Sequence, residues 1–364
     1  MSAGDDERQS RILTPELLLL WQKALAAGVP NEKLNEIWND ALDKGAVGLA
    51  DRLRADGPRM LAEHAELREG FEWRLQKRWR PALDLYEMLL VACTEAGSDL
   101  HDALMQEAGP VSDHPIKLHA LTLLHARACM VASEVFALLR TGHAAGAQAR
   151  WRTLHEIAVI AFTLGANSED LANRFLLHRQ VERWKEAQCY QENCAALRRE
   201  QFSDKEMDEF RADYDAVVSQ YEEGYAGDWV WSKPAFPSPR HRPKFDDLEK
   251  LAGLGQNKPF VKLSHHAIHG GASGALDVLD LYGRGEVMLA GPSNAGLAEP
   301  GHGSLIALYQ VTVAYLLHGP NQTNPEELRT LKGIALLLDE AGIAFASCDV
   351  EFMGDEGAEG PGAR

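Results

Sequence analysis

Apolar residues recur along most of this chain at intervals of three and four, the period of a helix with one face turned inward. Thr14-Pro15-Glu16 supplies an N-cap, a proline at the first helical position and an acidic first turn before "LLLLWQKALAAG", and Gly28 stops it. Residues 32–55 follow as one or two amphipathic helices, and Pro58 opens a longer helical region that Pro81 should kink or split. Helices are expected over 116–141, 145–165, 168–200 and 203–223, the last two opened by "NSED" and "SDKEMDEF" as caps. Between residues 224 and 245, "GYAGDWVWSKPAFPSPRHRPKF" holds four prolines and two tryptophans, which predicts an ordered loop packed on the bundle. Helices resume at 245–254, 258–283, 302–318 and 325–342, with a loop over 284–301. No Asn-Gly hairpin and no sustained alternation of β-branched residues suggests a strand.

The pattern therefore predicts an all-α helical bundle. It divides into a helical N-terminal extension (1–112), a core bundle (113–283), C-terminal helices (284–348) and a disordered tail (349–364).

Composition narrows the class. A chain of 364 residues, 45% hydrophobic and 25% charged, has the balance of a globular protein with a large core. A formal charge of −17 opposes a whole-surface footprint for nucleic acid or acidic lipid, though it allows a local basic groove. Five cysteines without a CxxC pair give no disulfide framework, and the acidic N-terminus does not resemble a signal peptide. With no long uninterrupted apolar run, the expectation is a cytoplasmic protein without a membrane partner.

The chemistry concentrates in "AQARWRTLHEIAVIAF" (147–162), where charged side chains sit at the edge of an apolar run. Arg152 and Glu156 are spaced i,i+4 and share a face with His155, with Arg150 at its margin. The plain reading is an Arg152–Glu156 ion pair. The sharper one is the Arg-apolar-xxx-His pattern of HEPN-type ribonucleases, in which histidine moves protons at a ribose and arginine steadies a phosphate. Arg59 to His64 fits that pattern equally well, so it carries little specificity. In "NRFLLHRQVERWKEAQ" (173–188), Arg174 and His178 are stacked one turn apart, and Arg174 is placed to meet Glu156 from the next helix. In "KPFVKLSHHAIHGGASG" (258–274), His265 and His269 have metal-ligand spacing but no further ligands at suitable spacing, so no metal and no cofactor is expected. The Gly-rich end of that stretch predicts a close backbone approach. Glu299 and His302 span Pro300-Gly301 and read as loop.

Across roughly 115–275 the chain resembles a bacterial family filed as domain of unknown function 5677. The likeness rests on "LLHARACMVASEVFALLRTGHAAGAQARWRTLHE", "LANRFLLHRQVERW", Trp231, "FDDLEKLAG" and "FVKLSHHAIHG". The resemblance implies a HEPN-like all-helical bundle and maps its recurring residues onto Arg152 with Glu156, Arg174 with Phe175, and Ser264 with His269. It implies no established activity.

Two functions remain open on this reading. In one, a polar pocket acts on RNA or a nucleotide without metal: Arg152 and Arg174 hold phosphate, Glu156 orients Arg152, Arg150 and Ser264 complete the binding set, and His155, His178 or His269 moves protons. In the other, the same residues form a structural ion-pair network in a non-catalytic interaction module that acts as a homodimer.

Overall fold

The structure, a computed structural model, describes residues 23, 26–28, 30–108, 114–238, 242–277, 290–318 and 324–358. Most of the helix expected after Thr14, and the end of the chain beyond residue 358, lie outside the described residues. Two compact units are present, Met1–Phe71 and Glu72–Arg364.

The protein is all-α, with no strand among the described residues. Helix α1 (Asn31–Arg78) carries Pro58 inside it rather than starting there. The break expected near Pro81 falls between Arg78 and Arg80, where α2 (Arg80–Ala108) begins with that proline in its first turn.

In the second unit, α3 (Ile116–Arg140) and α4 (Ala144–Gly165) form a hairpin through Gly142, whose φ of 77° suits glycine. By length and hydropathy α3 could cross a membrane. Here its apolar residues pack on α2, α4 and α10 (Ala298–Leu316). Helix α5 (Glu169–Asn193), capped by Ser168, lies on α3 and on α6 (Asp204–Val218), which starts with a capping box between Ser203 and Glu206. A 3₁₀ turn (Val230–Ala235) packs the Trp/Pro-rich loop on α5, and α7 (Phe245–Leu251) packs on α4. The long helix expected over 258–283 is divided: α8 (Lys258–Ile268) ends before the glycines and α9 (Ala272–Asp277) follows. A Cβ at Gly274 would stand 2.5 Å from the His266 carbonyl oxygen, so the predicted close approach is real.

Helix α11 (Pro325–Ala358) continues through residues 349–358, where a disordered tail was expected. Its inner face explains why. Leu331, Ile334, Leu338, Ala341, Phe345, Cys348 and Phe352 alternate in steps of three and four, and all are buried against α2 and α10. The acidic, Gly-rich composition of the end hid this stripe.

The loop expected over 284–301 is also corrected at its end, because α10 begins at Ala298. A proline is tolerated in a helix's first turn. The glycines make room for rings from neighbouring helices: Cβ atoms at Gly301 and Gly303 would collide with Phe345 and Trp151, and one at Gly342 with His302.

Gly97 on α2 is another such contact, since a Cβ there would land on the His125 ring. Gly97→Ala is expected to destabilise the protein by about 1–3 kcal/mol, even though alanine gains roughly 1 kcal/mol in helix propensity. Chemical denaturation checks this. In a His125→Ala background, the same substitution should cost nothing, and an equal cost there would show that the ring is not the obstacle.

Candidate functional site

Helix α4 presents Gln148, Trp151 and His155 on one face, three and four residues apart. Trp151 and His155 stack with centroids 5.6 Å apart. On α7, Phe245 and Glu249 are also one turn apart, and both reach His155. Phe245 meets the imidazole edge-on at 6.3 Å, and Glu249 Oε1 lies 2.9 Å from His155 Nε2. The pair is dry, with side-chain exposures of 1% and 2%. Burial draws the imidazole below its ordinary pKa, opposed by Glu249 and reinforced by Arg152. The neutral ring then donates its Nε2–H to the carboxylate.

Arg152 and Glu156 do not form the contact ion pair their spacing predicts. The guanidinium lies over the Phe245 ring at 5.9 Å, and its Nη1 is buried without a hydrogen-bond partner. Glu156 is half-buried, its carboxyl pushed up by burial and drawn down by Arg152 at longer range. Arg150 is paired with Glu134 on α3.

Arg174 does not meet Glu156. It is 4% exposed, and its Nε donates to the Trp231 carbonyl at 3.1 Å. Its Nη2 reaches Glu222 at 2.7 Å, and the guanidinium lies 4.3 Å from the Tyr221 ring. Tyr225 returns a bond from its hydroxyl to the Arg174 carbonyl at 2.6 Å. This arginine fastens the Trp/Pro-rich loop to α5. His178, also buried, donates Nε2–H to the Gly227 carbonyl at 3.2 Å, with Nδ1 3.6 Å from Glu182. Ser264 turns its hydroxyl back to the Val261 carbonyl of its own helix at 2.7 Å. His269 is exposed at the end of α8, its ring 5.7 Å from that of His265.

The sequence-predicted residues thus fall in separate places. His178 and Glu156 line one cleft of about 400 Å³ with Trp229 and Trp231. His155 lines a second, of about 480 Å³, between α4, α8, α10 and α11. Trp151, Phe260, Ile306 and Phe345 make its apolar wall, while Gln148, Glu299, His302, Gln310 and Asp349 supply polar groups. Burial pushes the Glu299 carboxyl up and the His302 imidazole down. Sequence reasoning set Glu299 and His302 aside as loop, whereas both lie on α10, and it passed over Gln310 and Asp349. The signal that could have found them is the acidic first turn with its proline at Glu299-Pro300, followed by His302, Ile306 and Gln310 at i, i+4 and i+8. Among the described residues, no group of three or more His, Cys, Asp or Glu side chains is placed to hold a metal ion.

Fold and site together define a helical bundle with a buried His155–Glu249 hydrogen bond, a half-buried Arg174–Glu222 ion pair, and a cleft beside the first of them. Residues 118–285, less than half of the 364-residue chain, match the model of a family of unknown function (DUF5677). No curated protein and no solved structure matches the chain. The match takes in the α4 and α8 side of the cleft and ends before α10 and α11.

Proposed function

We propose that this protein is a small-molecule-binding helical bundle whose ligand lies in the cleft between α4, α8, α10 and α11. One observation carries the reading. The cleft measures about 480 Å³, and aromatic and aliphatic side chains line it with a few polar groups among them. That size and mixture are those of ligand pockets in general. Phe260 and Val350, 44% and 71% exposed, form an apolar rim that a ligand would cover.

The geometry favours this over action on RNA or a nucleotide. A phosphate would seek arginine or lysine, and among the described residues neither lines the cleft. Arg150 and Arg174 are engaged with Glu134 and Glu222, and His155 is committed to Glu249. The Arg150 and His155 pairs tie α4, one wall of the cleft, to α3 and α7, which is the part of the ion-pair-network reading that the proposal keeps.

Nile red, an uncharged apolar dye, tests the proposal. Its emission should rise saturably on titration with the full chain. The rise should be lost in Ile306→Trp/Ala346→Phe, which places two rings in the cleft, while the thermal midpoint stays unchanged. Absence of a saturable rise, or a rise indifferent to the two rings in a folded variant, would remove the cleft as a binding site.

A further inference from the structure

We propose that a second cavity, separate from the cleft, binds a mononucleotide, with Lys77, Arg80 and Arg140 on its phosphate and Trp73 under its base. The cavity measures about 450 Å³ and lies where the end of α1, the start of α2 and the end of α3 meet. It shares no lining residue with the cleft between α4, α8, α10 and α11.

The chain carries a formal charge of −17, yet three of its cations converge here. Lys77 and Arg80 follow Trp73 at steps of four and three, which keeps them on one side of the helical path. Arg140 is brought beside them by a reciprocal contact with Gln76. Gln76 Nε2 donates to the Arg140 carbonyl at 3.3 Å, and Arg140 Nη2 donates to Gln76 Oε1 at 3.4 Å. The same guanidinium lies over the Phe136 ring at 5.4 Å. Held at one edge and stacked on a ring, it keeps its other N–H donors for a ligand.

Two acids also line the cavity, and their places decide its sign. Asp84 is taken up by Arg80, with Oδ2 3.3 Å from Nε, and Glu87 stands two turns beyond Arg80 along α2. Among the described residues, Lys77 and Arg140 have no carboxylate partner. The Trp73 end of the cavity is therefore positive and short of an anion. A phosphate suits it, because its outer oxygens can accept from three side chains arriving from three helices. A carboxylate offers two oxygens in one plane.

Trp73 sets the other half of the ligand. Its indole is 64% exposed, and Lys77 Nζ stands 5.1 Å from the ring centroid. A base laid on the indole thus brings its own phosphate beside the ammonium. Stacking next to positive charge is how such side chains hold nucleotides without reading their sequence. The cavity has the size of a small-molecule site, and the net charge opposes a longer polyanion.

Adenosine monophosphate, adenosine and inorganic phosphate, each titrated calorimetrically into the full chain at low salt, test the choice. The nucleotide should bind about tenfold tighter than either fragment, because it uses both halves of the site. Lys77→Gln should weaken it several-fold, and Lys77→Gln/Arg140→Gln should reduce it to the affinity of adenosine. Trp73→Ala should reduce it to that of phosphate. Lys77 and Trp73 are exposed, so their single variants should keep the wild-type thermal midpoint. The proposal is overturned if the nucleotide does not bind, if either fragment binds as tightly, or if binding is indifferent to the variants. Tighter binding of an adenylate hexamer than of the monophosphate would assign the site to RNA and overturn it as well. Displacement of Nile red by the nucleotide would put it in the cleft and remove the second site, whereas failure of Nile red to bind leaves this site standing.

Discussion

His155→Leu is expected to lower the unfolding free energy by about 3–5 kcal/mol near neutral pH, because it strands a buried carboxylate. Glu249 is 2% exposed, and the His155 ring is its hydrogen-bond donor in the structure. With leucine opposite, the carboxylate must stay charged without a partner or take up a proton, and either is unfavourable. The double variant His155→Leu/Glu249→Leu should recover most of the loss, since apolar groups can replace a buried polar pair at little cost. Urea denaturation of the wild type, both single variants and the double variant gives the coupling energy. A His155→Leu protein as stable as the wild type would show that the pair does not hold α4 to α7.

Acid should expose a second buried histidine. His125 on α3 lies 3.2 Å from the Thr312 hydroxyl and 5.1 Å from the Tyr315 ring centroid, and burial lowers its pKa from 6.5 to about 4. Unfolded, the imidazole takes a proton as pH falls through 6.5; folded, it stays neutral down to about 4. Between those values the unfolded chain binds more protons, so stability falls as pH falls. At about 1.4 kcal/mol per pH unit, the loss from this one ring reaches about 3 kcal/mol by the lower end. His155 and His302, also lowered by burial, act in the same direction. Glu156 and Glu299, raised by burial, act against it. The comparison is therefore between the wild type and His125→Leu. The variant's stability should be flatter with pH by about 3 kcal/mol across the interval, and parallel curves would refute the assignment.

Much of the helical architecture was legible in the chain because its signals are local. The periodicity predicted a helix over 116–141 and the structure has Ile116–Arg140; it predicted 145–165 and the structure has Ala144–Gly165. The Ser203–Glu206 box and the stop before Pro81 were equally readable, since each depends on residues within one turn. Composition misled where it stood in for periodicity. The Gly/Pro-rich start of α10 and the acidic end of α11 were read as irregular, yet both are helical.

The candidate site was far less legible. That residues 147–162 bring charge to the edge of the core could be read from their order, but their partners could not. Glu249 is 94 residues from His155, and Glu222 is 48 from Arg174. The cleft depends on α10 and α11 standing beside α4 and α8, an arrangement no local spacing encodes. Arg152 and Glu156 show the limit most directly. Their i,i+4 spacing made a contact pair available, but Phe245 arrives from α7 and the guanidinium lies over its ring. The sequence by itself determined which segments are helical and which faces are apolar, because those follow from neighbours a turn away. Only the tertiary structure decided which charges are neutralised, which histidines are kept uncharged and where a cleft remains, because burial and pairing depend on residues brought together from distant parts of the chain.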